Sequence, residues 1–315
     1  MNNKVLGLHH ITAIANLAQR NYDFYTNTLG LRMVKKTVNF DDPGTYHFYY
    51  GDEKGNAGTI LTFFPWEGIG KGRTGGGMAT EIAYSIPEGS LEFWKERFGK
   101  NNVLTGDAVE RFGELYLPFL DPDGLNLSLV VPKDADNRTG WTTEQVGKEV
   151  ATKGFHNSTL TLRDVEPTGK VLTDLLDYEQ IAQEGNRYRF KSKNIDTANI
   201  IDILVDENAP RGINTAGTNH HIAFRVKDDV DQMELREKIM SAGLQMSFSR
   251  TPQIDRDYFH SLYFREPGGV LFEIATENPG FDVDEPLAEL GNSLKLPKQY
   301  EPQRSAIEKV LPVLK

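Results

Sequence analysis

A glutamate stands inside the apolar run VLFEIA, residues 270–275, and a histidine pair, His220–His221, opens the strand-like stretch NHHIAFRV upstream of it. Burying that carboxylate unpaired would be very costly, so a cation is expected to meet it. Side chains two apart on a strand share a face. Glu273 therefore points with Leu271 and away from Phe272 and Ile274. A metal ion would serve as the cation, and His221 is the kind of ligand that would share it. A second pair, His9–His10, lies in LHHITAIAN near the start. On ideal strands His9 and His220 alternate away from His10 and His221, while Thr12 shares the face of His10, where its hydroxyl could reach a bound ligand.

The elements that would position these residues form a repeat. Residues 8–16 and 219–227 share an alternating pattern and the paired histidines; 80–88 and 155–164 carry the same pattern more weakly. Each is followed by a short amphipathic helix, with Tyr22, Tyr25 and Leu29 on one face, then Leu91, Trp94 and Phe98, then Leu172, Leu175 and Leu176, then Leu235 and Ile239. Gly30, Gly99 and Gly243 read as helix C-terminal caps. Strand-like runs then close at 59–64, 125–131, 199–205 and 270–275, two of them after the turns DPDG and EPGG. The expected unit is strand, helix, three strands, four times over. One such unit leaves a half-open sheet, and two close a barrel-like cup, so the fold class is α+β. The segment 65–77 is glycine-rich and basic, but GxxxxGK[ST] is absent, and it reads as a flexible linker between units one and two rather than a phosphate loop. The expected domains are 1–132 and 150–276, followed by a tail, 277–315, that wraps the surface or a partner subunit.

The 315 residues are 38% hydrophobic and 25% charged, an ordinary globular composition. A net charge of −10 argues against a nucleic-acid partner. The absence of cysteine excludes disulfides, thiolate metal sites and cysteine nucleophiles, and suits a reducing cytosol. No apolar run approaches a membrane span and no signal-peptide core is present, so a cytoplasmic protein without a membrane partner is expected. A homo-oligomer is compatible with the sequence.

With the four units in view, the chain resembles the vicinal-oxygen-chelate superfamily of glyoxalases, antibiotic-resistance binders and extradiol ring-cleaving dioxygenases. LYFREPGGVLFE, residues 262–273, fits most of the extradiol dioxygenase signature. The upstream histidine of that signature is missing: its window holds Ile254, Asp255 and Arg256, and His260 lies too near Tyr263 to replace it. The chain is similar over nearly its whole length to the hydroquinone and chlorohydroquinone ring-cleaving subgroup, where histidine pairs occur in the first and fourth units and an arginine stands at the position of Arg256. The resemblance implies that ligands come from the first and last strands of paired units. Units one and four then supply His10, Thr62, His221 and Glu273, and units two and three supply Glu81, Ser128, Asn157 and about Asp202, which make no coherent metal site. The live cup is expected from units one and four.

Two histidines and a carboxylate with open positions suit Fe(II) and O2, although another divalent metal can occupy such a triad. The resemblance thus implies an Fe(II)-dependent ring-cleaving dioxygenase taking a small hydroquinone-like aromatic and O2, with Tyr263 and Arg256 binding or deprotonating a phenol or holding an anion. His9 and His220 are further catalytic candidates, and Tyr258 and Phe259 are candidate pocket walls. A glyoxalase-type isomerase or lyase, or a non-catalytic protein that sequesters an aromatic or antibiotic, stand as alternatives. Thr62 argues against the glyoxalase arrangement, which fills the fourth ligand position with a carboxylate.

Overall fold

The computed structural model describes residues 5–247 and 253–315. Four modules of βαβββ plan follow one another; in the fourth, two short strands, both paired with the same neighbour, stand where the other modules have one. The first holds β1 (Leu8–Ala15), β2 (Arg32–Val38), β3 (Tyr46–Gly51) and β4 (Ile60–Pro65). The second holds β5 (Met78–Ser85), β6 (Val109–Arg111), β7 (Glu114–Leu120) and β8 (Asn126–Val131). The third holds β9 (Phe155–Leu162), β10 (Tyr178–Glu184), β11 (Arg187–Ser192) and β12 (Ile200–Val205). The fourth holds β13 (Thr218–Val226), β14 (Met246–Ser247), β15 (Ile254–Asp255), β16 (His260–Arg265) and β17 (Leu271–Thr276). The module helices are α1 (Ala18–Asp23), α2 (Leu91–Lys100), α3 (Glu166–Lys170) and α4 (Asp229–Ser241); α1 and α3 each run on into a π-helical turn.

Two curled sheets result. One runs β14-β16-β17-β13-β1-β4-β3-β2, with β15 on β16; the other runs β10-β11-β12-β9-β5-β8-β7-β6. Module four thus closes on module one and module three on module two, through the antiparallel pairs β1–β13 and β5–β9. This brings the two ends of the repeat into one cup. Strand existence and the four closing strands follow the alternation of apolar residues. Gly99 is a departure: it lies inside α2, and the left-handed residue that turns the chain is Asn102 (φ 54°). Segment 65–77 lies along 209–217, with Gly72 N–H donating to Ala216 O at 2.7 Å and Ile213 N–H to Arg73 O at 2.8 Å, so it is tied down by backbone bonds.

The tail lies on module one. Fully buried Lys35 pairs with Asp284 and Glu285 at 2.5 and 2.6 Å, and Lys295 N–H donates to Lys36 O. Phe281, also in the tail, stacks on Tyr258 at 5.2 Å, and Tyr258 donates to Asp284. The tail therefore backs the turn that carries Arg256 and Phe259. A final helix, α5 (Arg304–Val310), lies near its end.

The cup of modules two and three contains a buried cation of its own. Arg189 bonds both oxygens of Asp202 at 2.8 and 2.9 Å, Glu114 at 2.5 Å and Tyr116 at 2.7 Å. His156 adds a contact to Glu114 at 2.9 Å. Removing one partner of such a network leaves uncompensated buried charge. Arg189→Leu is expected to cost about 3–5 kcal/mol of folding stability in urea melts. Metal content per folded chain should stay at the wild-type value, because the network lies in the other cup.

Candidate metal centre

The paired histidines owe their geometry to two bulges. Between Leu8↔Phe224 and His10↔Ala223 strand β1 carries one extra residue, His9; between Thr12↔His221 and Ala13↔Asn219 strand β13 carries one extra, His220. A bulge re-aims its side chain. Instead of turning fully away, His9 Nδ1 meets His10 Nδ1 at 2.9 Å, and His220 Nδ1 meets His221 Nδ1 at 2.8 Å. The other cup repeats the device with Thr80 and His156 as extra residues, which places His156 out of step with Asn157.

On the inner face, His10 Nε2 and His221 Nε2 lie 3.3 Å apart, and Glu273 Oε2 lies 3.2 Å from the first and 2.8 Å from the second. All three side chains are buried, Glu273 completely. Among the described residues they are the one group of histidines and acids close enough to share an ion. Glu273 Oε1 accepts from Ser261 Oγ at 2.5 Å, whereas Oε2, facing both imidazoles, has no properly formed hydrogen bond. An orphaned buried oxygen aimed at two ring nitrogens is the signature of a donor set that wants a cation, and two imidazoles with one carboxylate suit a divalent transition metal. For His10 and His221 to offer Nε2 lone pairs, each must carry its proton on Nδ1. His9 and His220 then accept through Nδ1 and carry theirs on Nε2.

Burial works against the charge of Glu273, yet the two facing imidazoles hold its carboxyl well below the usual range. Desolvation pushes His9, His47 and His220 down, His220 to about 3, so all three are neutral near pH 7.

Tyr263 lies directly opposite Glu273 in the β16–β17 register, its ring 5.5 Å from that of His221. Burial first, and then Glu273, raise its phenol, so it keeps its proton; Arg256 and Ser261 offset this in part. Arg256 leaves β15 on a turn whose next residue, Asp257, is left-handed (φ 65°), a conformation aspartate tolerates. Burial opposes its charge, but Tyr263 and Glu273 hold the guanidinium protonated. It lies over the rings of Phe40 and Tyr263 at 5.3 and 5.7 Å, with Asp41 at 3.9 Å. Thr12 Oγ1 bonds Thr62 Oγ1 at 2.8 Å, Thr62 bonds His47 Nε2 at 2.9 Å, and Tyr49 closes the chain on His47 Nδ1 at 2.9 Å. At the fourth ligand position the fold thus presents a hydroxyl already engaged in a hydrogen-bonded row.

These groups enclose a cavity of about 260 Å3, walled by Phe40, Phe64, Trp66, Tyr49 and Phe259. A dry cavity of about 150 Å3 already accommodates benzene, so one substituted ring fits. His10, Thr12, His220, His221, Arg256 and Tyr263 line it, whereas His9 and Tyr258 face a separate surface cleft. His260 is bound to Asp229 at 2.5 Å, away from the cavity. Sequence reasoning missed His47, Tyr49 and Ser261. The alternation His47-x-Tyr49 on an apolar strand was a signal; Ser261 became visible only with the register that sets it diagonally to Glu273.

The model of the Glyoxalase/Bleomycin resistance protein/Dioxygenase superfamily matches residues 7–274. MhqO of Bacillus subtilis, named as an inferred ring-cleaving dioxygenase, is 46% identical over 99% of this chain and 97% of its own. The chlorohydroquinone/hydroquinone 1,2-dioxygenase of Sphingobium indicum is 36% identical over 95% of this chain and 93% of its own. A crystal structure of an inferred Bacillus subtilis dioxygenase superposes with a TM-score of 0.94 at 45% identity, covering 99% of this chain and 98% of that one. Glyoxalase I from Zea mays, at 12% identity and a TM-score of 0.64 over 86% of this chain and 92% of that one, shares the fold. No helix among the described residues is long and apolar enough to cross a membrane.

Two outcomes are expected from this geometry. Glu273→Gln should lose bound metal while keeping its circular-dichroism spectrum, and Ser261→Ala should weaken metal affinity about 10–100-fold, the usual effect of removing a group that orients a ligand. In metal-free protein the depressed histidines make the unfolded chain bind more protons below its own pKa of about 6.5. Stability should therefore be full above pH 6.5 and fall as pH drops toward about 3, the value for His220. The slope in denaturant melts should reach about 1.4 kcal/mol per pH unit for each proton taken up.

Proposed function

The chain belongs to the glyoxalase/bleomycin resistance protein/dioxygenase superfamily, and we propose that it is an Fe(II)-dependent, extradiol-type dioxygenase that opens hydroquinone-like rings with O2. The observation that carries this reading is the three-donor triad: Nε2 of His10, Nε2 of His221 and the orphaned Oε2 of Glu273, with Thr62 where a fourth ligand would stand. A site closed by three side chains leaves room for two small molecules; a fourth carboxylate, as the glyoxalase reading requires, is not offered.

Held by those residues, iron would supply a binding point shared by the phenol and O2 and a path for electrons between them. The chain's own contributions follow from the cavity. Aromatic walls take the ring and exclude water, which strengthens each charge interaction inside. Arg256, permanently charged, lowers the cost of a phenolate beside Glu273. Tyr263, protonated at rest, can donate from its hydroxyl to an oxyanion that develops opposite Glu273. His220, neutral and on the cavity wall, can accept a substrate proton on the side away from His221 only by giving up its Nε2 proton, so its first role is to fix the His221 tautomer. The row Thr12–Thr62–His47–Tyr49 presents hydroxyls to the ring. A cytoplasmic location belongs to the same proposal, as do the domain limits 1–132 and 150–276.

Metal analysis of anaerobically purified protein, with O2 uptake on hydroquinone, tests this. Iron near one per chain with O2 consumption supports it; nickel or zinc with no O2 uptake favours the isomerase reading, and no metal favours a sequestering protein. Tyr263→Phe and Arg256→Ala are expected to keep iron and lose at least about tenfold in turnover per bound iron, roughly 1.4 kcal/mol of barrier. A smaller loss would remove both from the mechanism.

A further inference from the structure

A second cavity, of about 810 Å3, lies on the far side of His220 and His221. It shares His220, His221 and Leu271 with the aromatic cavity, so the two chambers meet at one wall. Their chemistry is opposite. The aromatic chamber has one cation, Arg256, offset by Asp41 with Asp42 alongside. The larger chamber is lined by Arg163, Arg211 and Arg265 against the single acid Asp164, in a protein of net charge −10.

These arginines differ from the others that face cavities. Arg111 and Arg187 in the second cup, and Arg138 and Arg225 at the surface cleft beside His9, all stand against carboxylates. Among the described residues Arg163, Arg211 and Arg265 have no carboxylate within ion-pair distance; Arg265 bonds the Gly269 carbonyl at 2.6 Å, and Asp164 accepts from the Glu166 N–H. Gly76, Gly77, Gly268 and Gly269 form part of the wall. A further observation points to a ligand. Asn219, 3% exposed and lining the chamber, donates Nδ2 to Ala79 O at 3.1 Å, while its buried Oδ1 has no hydrogen-bond partner. A buried acceptor without a donor, beside three solvent-facing guanidiniums that pair with no carboxylate among the described residues, suits a molecule with a carboxylate and a hydroxyl.

Ring cleavage makes such a molecule from a neutral one. O2 breaks the bond between a hydroxyl-bearing ring carbon and its neighbour and leaves one oxygen atom on each, as a carboxyl and an aldehyde. Every atom of hydroquinone and of one O2 molecule is kept in the product, O2 is the sole oxidant, and the second hydroxyl is retained. The carboxyl then releases its proton at neutral pH. We propose that the Arg163–Arg211–Arg265 chamber is a carboxylate subsite that receives the ring-opened product across His220, an inference that rests on the dioxygenase reading above. The arginines hold the carboxylate and Asn219 Oδ1 accepts from the retained hydroxyl.

Muconate, a linear six-carbon dicarboxylate, serves as the probe in anaerobic calorimetric titrations of the iron-loaded protein. Saturable binding is expected, weakened at least about tenfold in Arg211→Gln/Arg265→Gln and unaltered in the exposed-charge control Lys95→Gln/Lys100→Gln. Progress curves of hydroquinone oxidation should show product inhibition that the arginine variant relieves. Equal muconate affinity in wild type and arginine variant, or equal loss in the lysine control, overturns the subsite. Muconate binding with unchanged progress curves assigns the chamber to an independent carboxylate and overturns the product role. O2 uptake without muconate binding overturns this proposal alone; muconate binding without O2 uptake overturns the product role together with the dioxygenase reading.

Discussion

The structure depends on a fully buried carboxylate, Glu273, whose charge must be met inside an apolar strand. Its cost is tolerable only if cationic partners surround it. One oxygen is taken by Ser261, and the other is turned toward two imidazoles delivered by strands at opposite ends of the chain. The pairing of β1 with β13 and the bulges belong to the fold, since β5 and β9 repeat both; what that requirement accounts for is the histidine that each of β1 and β13 turns toward Glu273. A divalent ion held there would relieve the orphaned Oε2 and balance the negative charge together.

The second cup shows the same problem solved with a side chain. Asp202 is the third residue of its closing strand, as Glu273 is of β17. In one cup the cross-strand neighbour of that carboxylate is Tyr263; in the other it is Arg189, which reaches over to Glu114 as well. A buried arginine bonded to Asp202, Glu114 and Tyr116 fills the place with charge and hydrogen bonds, leaving no donor set for a metal. The two cups share one fold and differ in what meets the buried carboxylate: His10 and His221 in one, Arg189 in the other, where Glu81 and Asn157 stand at the histidine positions.

Much of this was legible in the sequence because repetition and strand alternation are strong local signals. The four units and the glutamate in VLFEIA could be read from spacing, and the pairing of the first unit with the fourth was implied by the family resemblance once the units carrying metal donors were known. The remainder depended on register. A period-two reading sends His9 and His220 to the opposite face, and only the bulges bring their Nδ1 atoms back onto His10 and His221. Gly99 looked like a cap because glycine favours that place, but the left-handed turn fell to Asn102. His47 and Tyr49 left only their alternation as a signal and Ser261 none, and their roles appear when β3, β4 and β16 are laid beside their neighbours. The arginine chamber draws on four separate segments, 76–79, 163–167, 209–221 and 265–271, so no local pattern announces it.

The claim at the centre of this account is that the buried triad brings a phenol and O2 together so that one ring bond is broken. Turnover of hydroquinone by the iron-loaded protein under 18O2, with mass spectrometry of the trapped product, tests it directly. The account predicts both atoms of one O2 molecule in a single ring-opened product, with label in the carboxylate and in the aldehyde before that oxygen exchanges with water. An unlabelled product, or a quinone formed with O2 reduced to peroxide or water, would contradict it.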